Sequence, residues 1–175
     1  MERGSGYHRT DLTLRLYTIG VYGFDARGFF AALEDAGADL LLDVRRRRAV
    51  RGPRYSFANA KRLIDELEKR GIEYRHVLDL APDNATRASI YAADKAAHRK
   101  ASERTELPAG YVKRYRKLVL DRFDFAEFAG ELKGYKAPVL MCVEGEPNAC
   151  HRSLVAKQLA TALGLKRVTN LRAGA

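Results

Sequence analysis

The chain has 175 residues and a formal net charge of +10, from 32 Lys+Arg against 22 Asp+Glu, a length that suits one domain burying roughly two-thirds of its unfolded surface. No run of about 18 apolar residues is present to span a membrane, Met1–Gly6 lacks the apolar stretch of a secretory leader, and 2 Cys are too few for a disulfide framework. The expectation is a cytoplasmic protein with no membrane partner, and the positive charge favours polyanions such as nucleic acid or phosphorylated ligands.

In chain order, Leu14–Ile19 alternates apolar and polar residues and ends at Gly20, which predicts a first strand. Asp25 is placed to cap a helix with Phe29, Phe30 and Leu33 inward, stopped by Gly37. Asp39–Val44 is an apolar run of the kind found in central parallel strands. Ser56 or Asn59 begins a second helix, with Leu63, Ile64 and Leu67 inward and Gly71 closing it. Glu73–Val77 reads as a third strand. Residues 84–132 read as wholly helical, in about three pieces broken near Pro108–Gly110 and Asp121–Asp124. Val139–Val143 is a fourth strand, and a helix follows from about His151 to Leu163, capped by Gly164. Lys166–Thr169 is a candidate edge strand. Strands alternating with helices predict an α/β fold: one three-layer domain, a mostly parallel sheet of four or five strands, helices on both faces, and a helical insertion over 84–132 beside the sheet's C-terminal edge.

In open parallel sheets ligands bind beyond the carboxyl ends of the strands, so residues following each strand are the candidates. Gly20 and Tyr22 follow the first, Asp43 and Arg45 the second, and Cys142 and Glu144 the fourth, while Tyr74 and His76 lie in the third. Asp43 is either a proton-transfer group or a structural carboxylate paired with Arg45. The loop carrying Arg45–Arg48, Arg51 and Arg54 suits phosphate contact, although such runs are often solvated faces. Tyr55 and Phe57 either stack a base or fill the core.

The richest stretch is Val139–Arg152, in which a strand, a turn-rich loop and a helix start bring together a thiol, a carboxylate, an imidazole and a guanidinium. Cys142 in a strand reads as a small hydrophobe. Cys150, at a helix start beside Arg152, has the setting of a reactive thiolate. His151 is a candidate acid or base, and Arg152 a candidate phosphate clamp. A zinc site from Cys142, Cys150 and His151 lacks a CxxC pair and requires two adjacent residues to face one ion. No metal and no cofactor are therefore expected.

Several of these pieces occur together in one family. Tyr17–Gly20, Leu42–Arg45, Gly71–His76 and Leu140–Glu144 leading to Cys150–Arg152 resemble the DUF488 family, in the family's order and over nearly the whole chain. The resemblance implies an α/β fold and puts the family's polar positions on Asp43, Arg45, Tyr74, His76, Cys142, Glu144, Cys150, His151 and Arg152. It implies no assured activity. Two positions depart from the pattern: Val21 stands where many members carry histidine, and Leu80–Ala81–Pro82 where Leu-Gly-Gly is common. A weaker likeness is to rhodanese-type domains and related phosphatases, with Asp-x-Arg after a strand and a strand-end cysteine before a helix-opening Arg-Ser. In those families the arginine closely follows the catalytic cysteine, whereas Cys142 and Arg152 are ten positions apart.

The reading from sequence is a protein that binds a phosphate-bearing ligand, a nucleotide or nucleic acid, at the C-terminal edge of the sheet. Asp43, Cys150 and His151 are its candidate catalytic groups. Gly20, Tyr22, Arg45, Tyr55, Tyr74, His76, Cys142, Glu144 and Arg152 are its candidate binding groups. Hydrolase or transferase activity, a non-catalytic nucleic-acid-binding module, and a cysteine-dependent transferase remain open as alternatives.

Overall fold

Five short strands, β1 (Leu16–Gly20), β2 (Leu40–Asp43), β3 (Glu73–His76), β4 (Pro138–Cys142) and β5 (Val168–Leu171), form one sheet in the order β3-β2-β4-β1-β5. The computed structural model describes residues 13–100 and 103–174, so the leader reading of Met1–Gly6, like residues 101 and 102 of the expected insertion, lies outside the described residues. Every pairing is parallel, where the sequence predicted a mostly parallel sheet. β2 and β4 are buried along their whole length, which is why both read as unbroken apolar runs.

The helices are α1 (Ala26–Asp35), α2 (Ala60–Glu68), α3 (Asn84–Ala96), α4 (Ala109–Leu118), α5 (Phe125–Glu131) and α6 (His151–Ala162). Aspartates begin three of them: the side chains of Asp25, Asp83 and Asp124 accept from the amides of Gly28, Thr86 and Glu127 at 2.7, 2.6 and 2.9 Å. Asn59 precedes α2, but its side chain instead accepts from the Val50 amide at 2.7 Å and ties down the arginine-rich loop. Ser56 belongs to a 3₁₀ turn over Pro53–Ala58, so both expected helix starts correspond to real turns.

Two directions of crossing explain the layers. β1 and β2 connect toward the β3 edge through α1 and α2, while β3 and β4 connect toward the β5 edge through α3–α6. Right-handed crossovers then put the two sets on opposite faces. The buried clusters agree. Tyr17, Ile19, Leu41, Val139 and Met141 pack with Phe29, Leu33, Leu63 and Leu67 of α1 and α2. Leu16, Leu40, Leu42, Leu140 and Cys142 pack with Tyr111, Tyr115, Phe128, Val155 and Leu159 of α4–α6. Alternate strand residues serve opposite cores, as the period of two demands.

Two sequence expectations shift. The segment over 84–132 breaks near Pro108 and Asp121 as predicted, but α3 already ends at Ala96, with His98 at φ 48°. The candidate edge strand runs Val168–Leu171, two residues later than expected. Gly164 at φ 68° and a bond from the Leu165 amide to Ala160 O prolong the turn after α6.

Candidate functional site

β4 is the point where the sheet changes direction. Its neighbours β2 and β1 both lead away to the α1/α2 face, whereas β4 leads to the α6 face. The chain leaving β4 therefore has a crevice beside it, the usual ligand position in open α/β sheets. The β4–α6 loop is held there by close backbone fits. A Cβ on Gly20 would lie 1.9 Å from the Glu144 carbonyl oxygen, and one on Gly145 would lie 2.8 Å from the Tyr22 carbonyl oxygen. Both positions admit glycine alone without moving the loop.

Cys142, at the end of β4, and Cys150 and His151, at the start of α6, meet on this crevice. One donor atom from each lies within 4.8 Å of the other two, and Cys142 Sγ is 3.8 Å from His151 Nδ1. The other ring nitrogen, Nε2, is 3.0 Å from the Val44 carbonyl oxygen. That oxygen can only accept, so Nε2 carries the proton, and in the neutral ring Nδ1 presents a lone pair to the sulfurs. Tyr115 packs edge-on against the ring at 5.4 Å. Burial acts to raise the Cys150 thiol, but the hydrogen bond from Cys142, the Arg152 charge and His151 outweigh it and hold it well below its ordinary value. The bond to Cys150, then burial, pushes Cys142 up.

Glu144 lies beside them, half-buried. Burial, then the neighbouring Cys150, raises its carboxyl to about 7, with Arg104 and Arg152 opposing. Arg152 itself is fully buried. Its guanidinium donates to the carbonyls of Glu144 and Gly145, the latter at 3.0 Å, and its Nε lies 3.4 Å from Thr18 Oγ1. It holds the β4–α6 loop against β1 and does not line the crevice.

Asp43, Arg45, Tyr74 and His76 form a second network, in which Asp43 and Arg45 are buried and Tyr74 and His76 half-buried. Arg45 donates to both Asp43 carboxylate oxygens, at 2.8 and 2.7 Å, and to the Ala58 carbonyl at 2.8 Å. Tyr74 Oη donates to Asp43 at 2.8 Å, and burial, then the Asp43 charge, pushes its phenol up to about 12. His76 Nε2 meets the Arg45 carbonyl at 2.8 Å. The Asp43 side chain is wholly enclosed and stands away from the crevice. The network instead fixes the direction in which the arginine-rich loop leaves β2. Tyr55 lies outside the crevice too, its ring 4.9 Å from that of Tyr22 and 5.3 Å from the Arg54 guanidinium, and Phe57 is part of the core.

The crevice opens into a cleft of about 520 Å³. Of the sequence candidates, Tyr22, Arg45, Cys142, Glu144, Cys150 and His151 line it. Gly20, Asp43, Tyr55, Tyr74, His76 and Arg152 do not line it. Arg46, Arg47 and Arg51 complete one wall, and the insertion supplies the opposite one through Arg87, Tyr91, Arg104 and Tyr111. The sequence placed the insertion beside this edge of the sheet but singled out none of these four residues. Arg104 is fixed by Asp94, at 2.6 and 3.2 Å, and by the Ala149 carbonyl at 3.2 Å, and the Leu107 amide bonds the Asn148 carbonyl at 3.1 Å. The only local signal was Tyr111 and Tyr115, four apart on one helix face, which marks burial rather than a site.

The parallel sheet and its switch-point cleft define an α/β protein with a cleft at the end of β4. Residues 25–159 match the model of the domain of unknown function DUF488, and the chain belongs to that family. No curated protein and no solved structure matches it.

Proposed function

We propose that the cleft binds a phosphate-bearing small molecule of nucleotide size. The observation that carries this reading is the charge of the lining: Arg46, Arg47, Arg51, Arg87 and Arg104 surround the cavity, against the single carboxyl of Glu144. Among the described residues, only Arg104 of those five is paired with a carboxylate. The volume falls in the range of small-molecule pockets, and Tyr22, Tyr91 and Tyr111 offer rings for a base or sugar. Guanidinium groups suit phosphate through paired, charge-assisted hydrogen bonds.

The experiment is calorimetric titration with inorganic phosphate and with nucleoside mono- and diphosphates. Each charged hydrogen bond contributes about 1.5–3 kcal/mol, so Arg47→Ala combined with Arg87→Ala is expected to weaken binding by at least ~100-fold. Wild-type protein that binds none of these ligands, or a folded double variant of unchanged affinity, overturns the reading. Hydrolase or transferase activity on the bound ligand is the catalytic form of the same proposal, and is scored by phosphate release.

A specific observation favours a second reading, nucleic-acid binding without turnover. Arg46 and Arg47 are exposed at the mouth of the cleft, and Tyr91, 55 % exposed, faces the same space. Such a surface tracks a polyanion and stacks a base.

A further inference from the structure

The structure assigns to Cys142, Cys150 and His151 a second capacity: we propose that they form a three-donor site for a thiophilic divalent metal ion, zinc by the character of its ligands, on the floor of the cleft. The objection raised by the sequence was geometric, since adjacent Cys150 and His151 had to face one point. The fold meets it. Cys150 is the extended N-cap residue of α6, at φ −132° and ψ 141°, and His151 is the first helical residue. The change of backbone direction between them brings both side chains to the end of β4, where Cys142 completes the set.

The separations suit an ion. With metal–sulfur bonds of about 2.3 Å and metal–nitrogen bonds of about 2.0–2.1 Å in a tetrahedron, donor atoms lie roughly 3.6–3.8 Å apart. The Cys142–His151 pair is at 3.8 Å and all three donors are within 4.8 Å, so the set needs to contract by no more than about 1.2 Å. The histidine is also oriented for the task. Metal-binding imidazoles almost always direct their second nitrogen to a carbonyl or carboxylate, and His151 Nε2 does so with Val44 O at 3.0 Å. This bond leaves Nδ1 facing the two sulfurs. Two thiols and an imidazole select zinc-like ions over magnesium or calcium, which take oxygen ligands.

All three donors are buried, at 6 %, 2 % and 7 % exposure, yet all three line the cleft. A fourth coordination position therefore faces the cavity, where water or a ligand oxygen can occupy it. Three protein donors with an open position is the arrangement of reactive rather than purely structural zinc sites. Binding needs no oxidant: each metal–sulfur bond forms as a thiolate donates its lone pair, and thiol protons leave to solvent. Two thiolates balance the charge of the divalent ion. The site stands on its three donors and does not depend on phosphate binding.

The test is direct. Purified, fully reduced protein is assayed for bound metal by mass spectrometry, stripped with a chelator, and titrated anaerobically with cobalt(II) in phosphate-free buffer. Expected are one ion per chain, visible bands of four-coordinate cobalt, and a near-ultraviolet thiolate-to-cobalt charge-transfer band. Stoichiometric zinc should abolish these features. Cys142→Ser and Cys150→Ser should each weaken cobalt binding by more than the ~100-fold that bounds loss of an outer-shell partner, with circular dichroism confirming the fold. Reduced, folded wild-type protein that takes up no cobalt overturns the proposal. So does a cobalt complex lacking the charge-transfer band, or cobalt affinity unchanged in both serine variants. A failed phosphate titration alongside a positive cobalt spectrum counts against the anion reading alone.

Discussion

Asp43 offers the sharpest separation between a structural and a catalytic role. Asp43→Asn keeps the shape of the side chain and removes its charge, leaving the enclosed Arg45 guanidinium without its counter-ion. In the native protein that carboxylate accepts from the Arg45 amide at 3.1 Å, from Arg45 Nε and Nη2 at 2.8 and 2.7 Å, and from Tyr74 Oη at 2.8 Å. Both side chains are essentially inaccessible, at 0 % and 1 %, so water cannot replace the lost partner. Breaking a buried pair from one side costs about 3–5 kcal/mol, against a total stability on the order of 5–15 kcal/mol. At a urea dependence of about 2 kcal/mol per M, the unfolding midpoint should fall by ~2 M with unchanged slope. The double variant Asp43→Leu/Arg45→Met removes both charges and should recover much of the loss, because neither partner is then left uncompensated. Urea melts by circular dichroism measure both, and phosphate affinity is measured separately without urea. A loss under ~1 kcal/mol for Asp43→Asn would refute the assignment of Asp43 to a desolvated structural pair. Retained stability with abolished phosphate binding would instead make it a group of the site.

Further expectations are as direct. Gly20→Ala puts a Cβ into the Glu144 carbonyl. It should lower the melting temperature and weaken phosphate binding together by displacing the β4–α6 loop, and a variant that matches wild type in both would show that the loop yields freely. Asp83→Ala removes the cap of α3 and should cost about 1 kcal/mol in urea unfolding. Asp94 is held below the usual carboxylate range first by its hydrogen bond from Arg104. Its stabilising contribution is therefore present above the unfolded carboxylate pKa and is lost as pH falls through the lower folded value. Asp94→Asn should flatten the acid limb of the stability profile between those two values, and an unchanged limb would contradict this. If the exposed arginines carry nucleic acid, log affinity should fall with log salt by about 0.9 per phosphate contacted on duplex DNA, and Arg46, Arg47 and Arg48 all changed to alanine should make the slope shallower.

The parts of the fold legible in the sequence were those with a period or a punctuation mark. The apolar runs at β2 and β4 are central strands because both faces are covered, and Asp25 and Gly164 mark helix ends by their own chemistry. The end of α3 was hidden because Ala96–Arg99 contains neither glycine nor proline, and the chain turns there at His98 instead. In the candidate site, the convergence of Cys142, Glu144, Cys150 and His151 follows from the strand, loop and helix start of one connection, which the sequence displays directly. The division of the polar residues did not follow. Asp43 and Arg152 carry the same chemistry as a catalytic acid and a phosphate clamp, and only their enclosure distinguishes them, Asp43 by protein donors and Arg152 by protein acceptors. The wall made by Arg87, Arg104 and Tyr111 depends on how the insertion folds back onto the sheet through Leu107 and Arg104, a long-range fact with no local pattern.

The reversal of direction at β4 has a consequence for how such a molecule can diverge. The two sulfurs, the imidazole and Glu144 all come from one short stretch, from the end of β4 to the first turn of α6, locked by Gly20, Gly145 and Arg152. The guanidinium groups come from elsewhere, the loop after β2 and the insertion after β3. On the proposed binding function, recharging the exposed side chains of those segments would alter which molecules enter while the floor of the cleft keeps its donors. The backbone of both segments is less free to change, because the Val44 carbonyl orients His151 and Arg104 and Leu107 bond the β4–α6 loop.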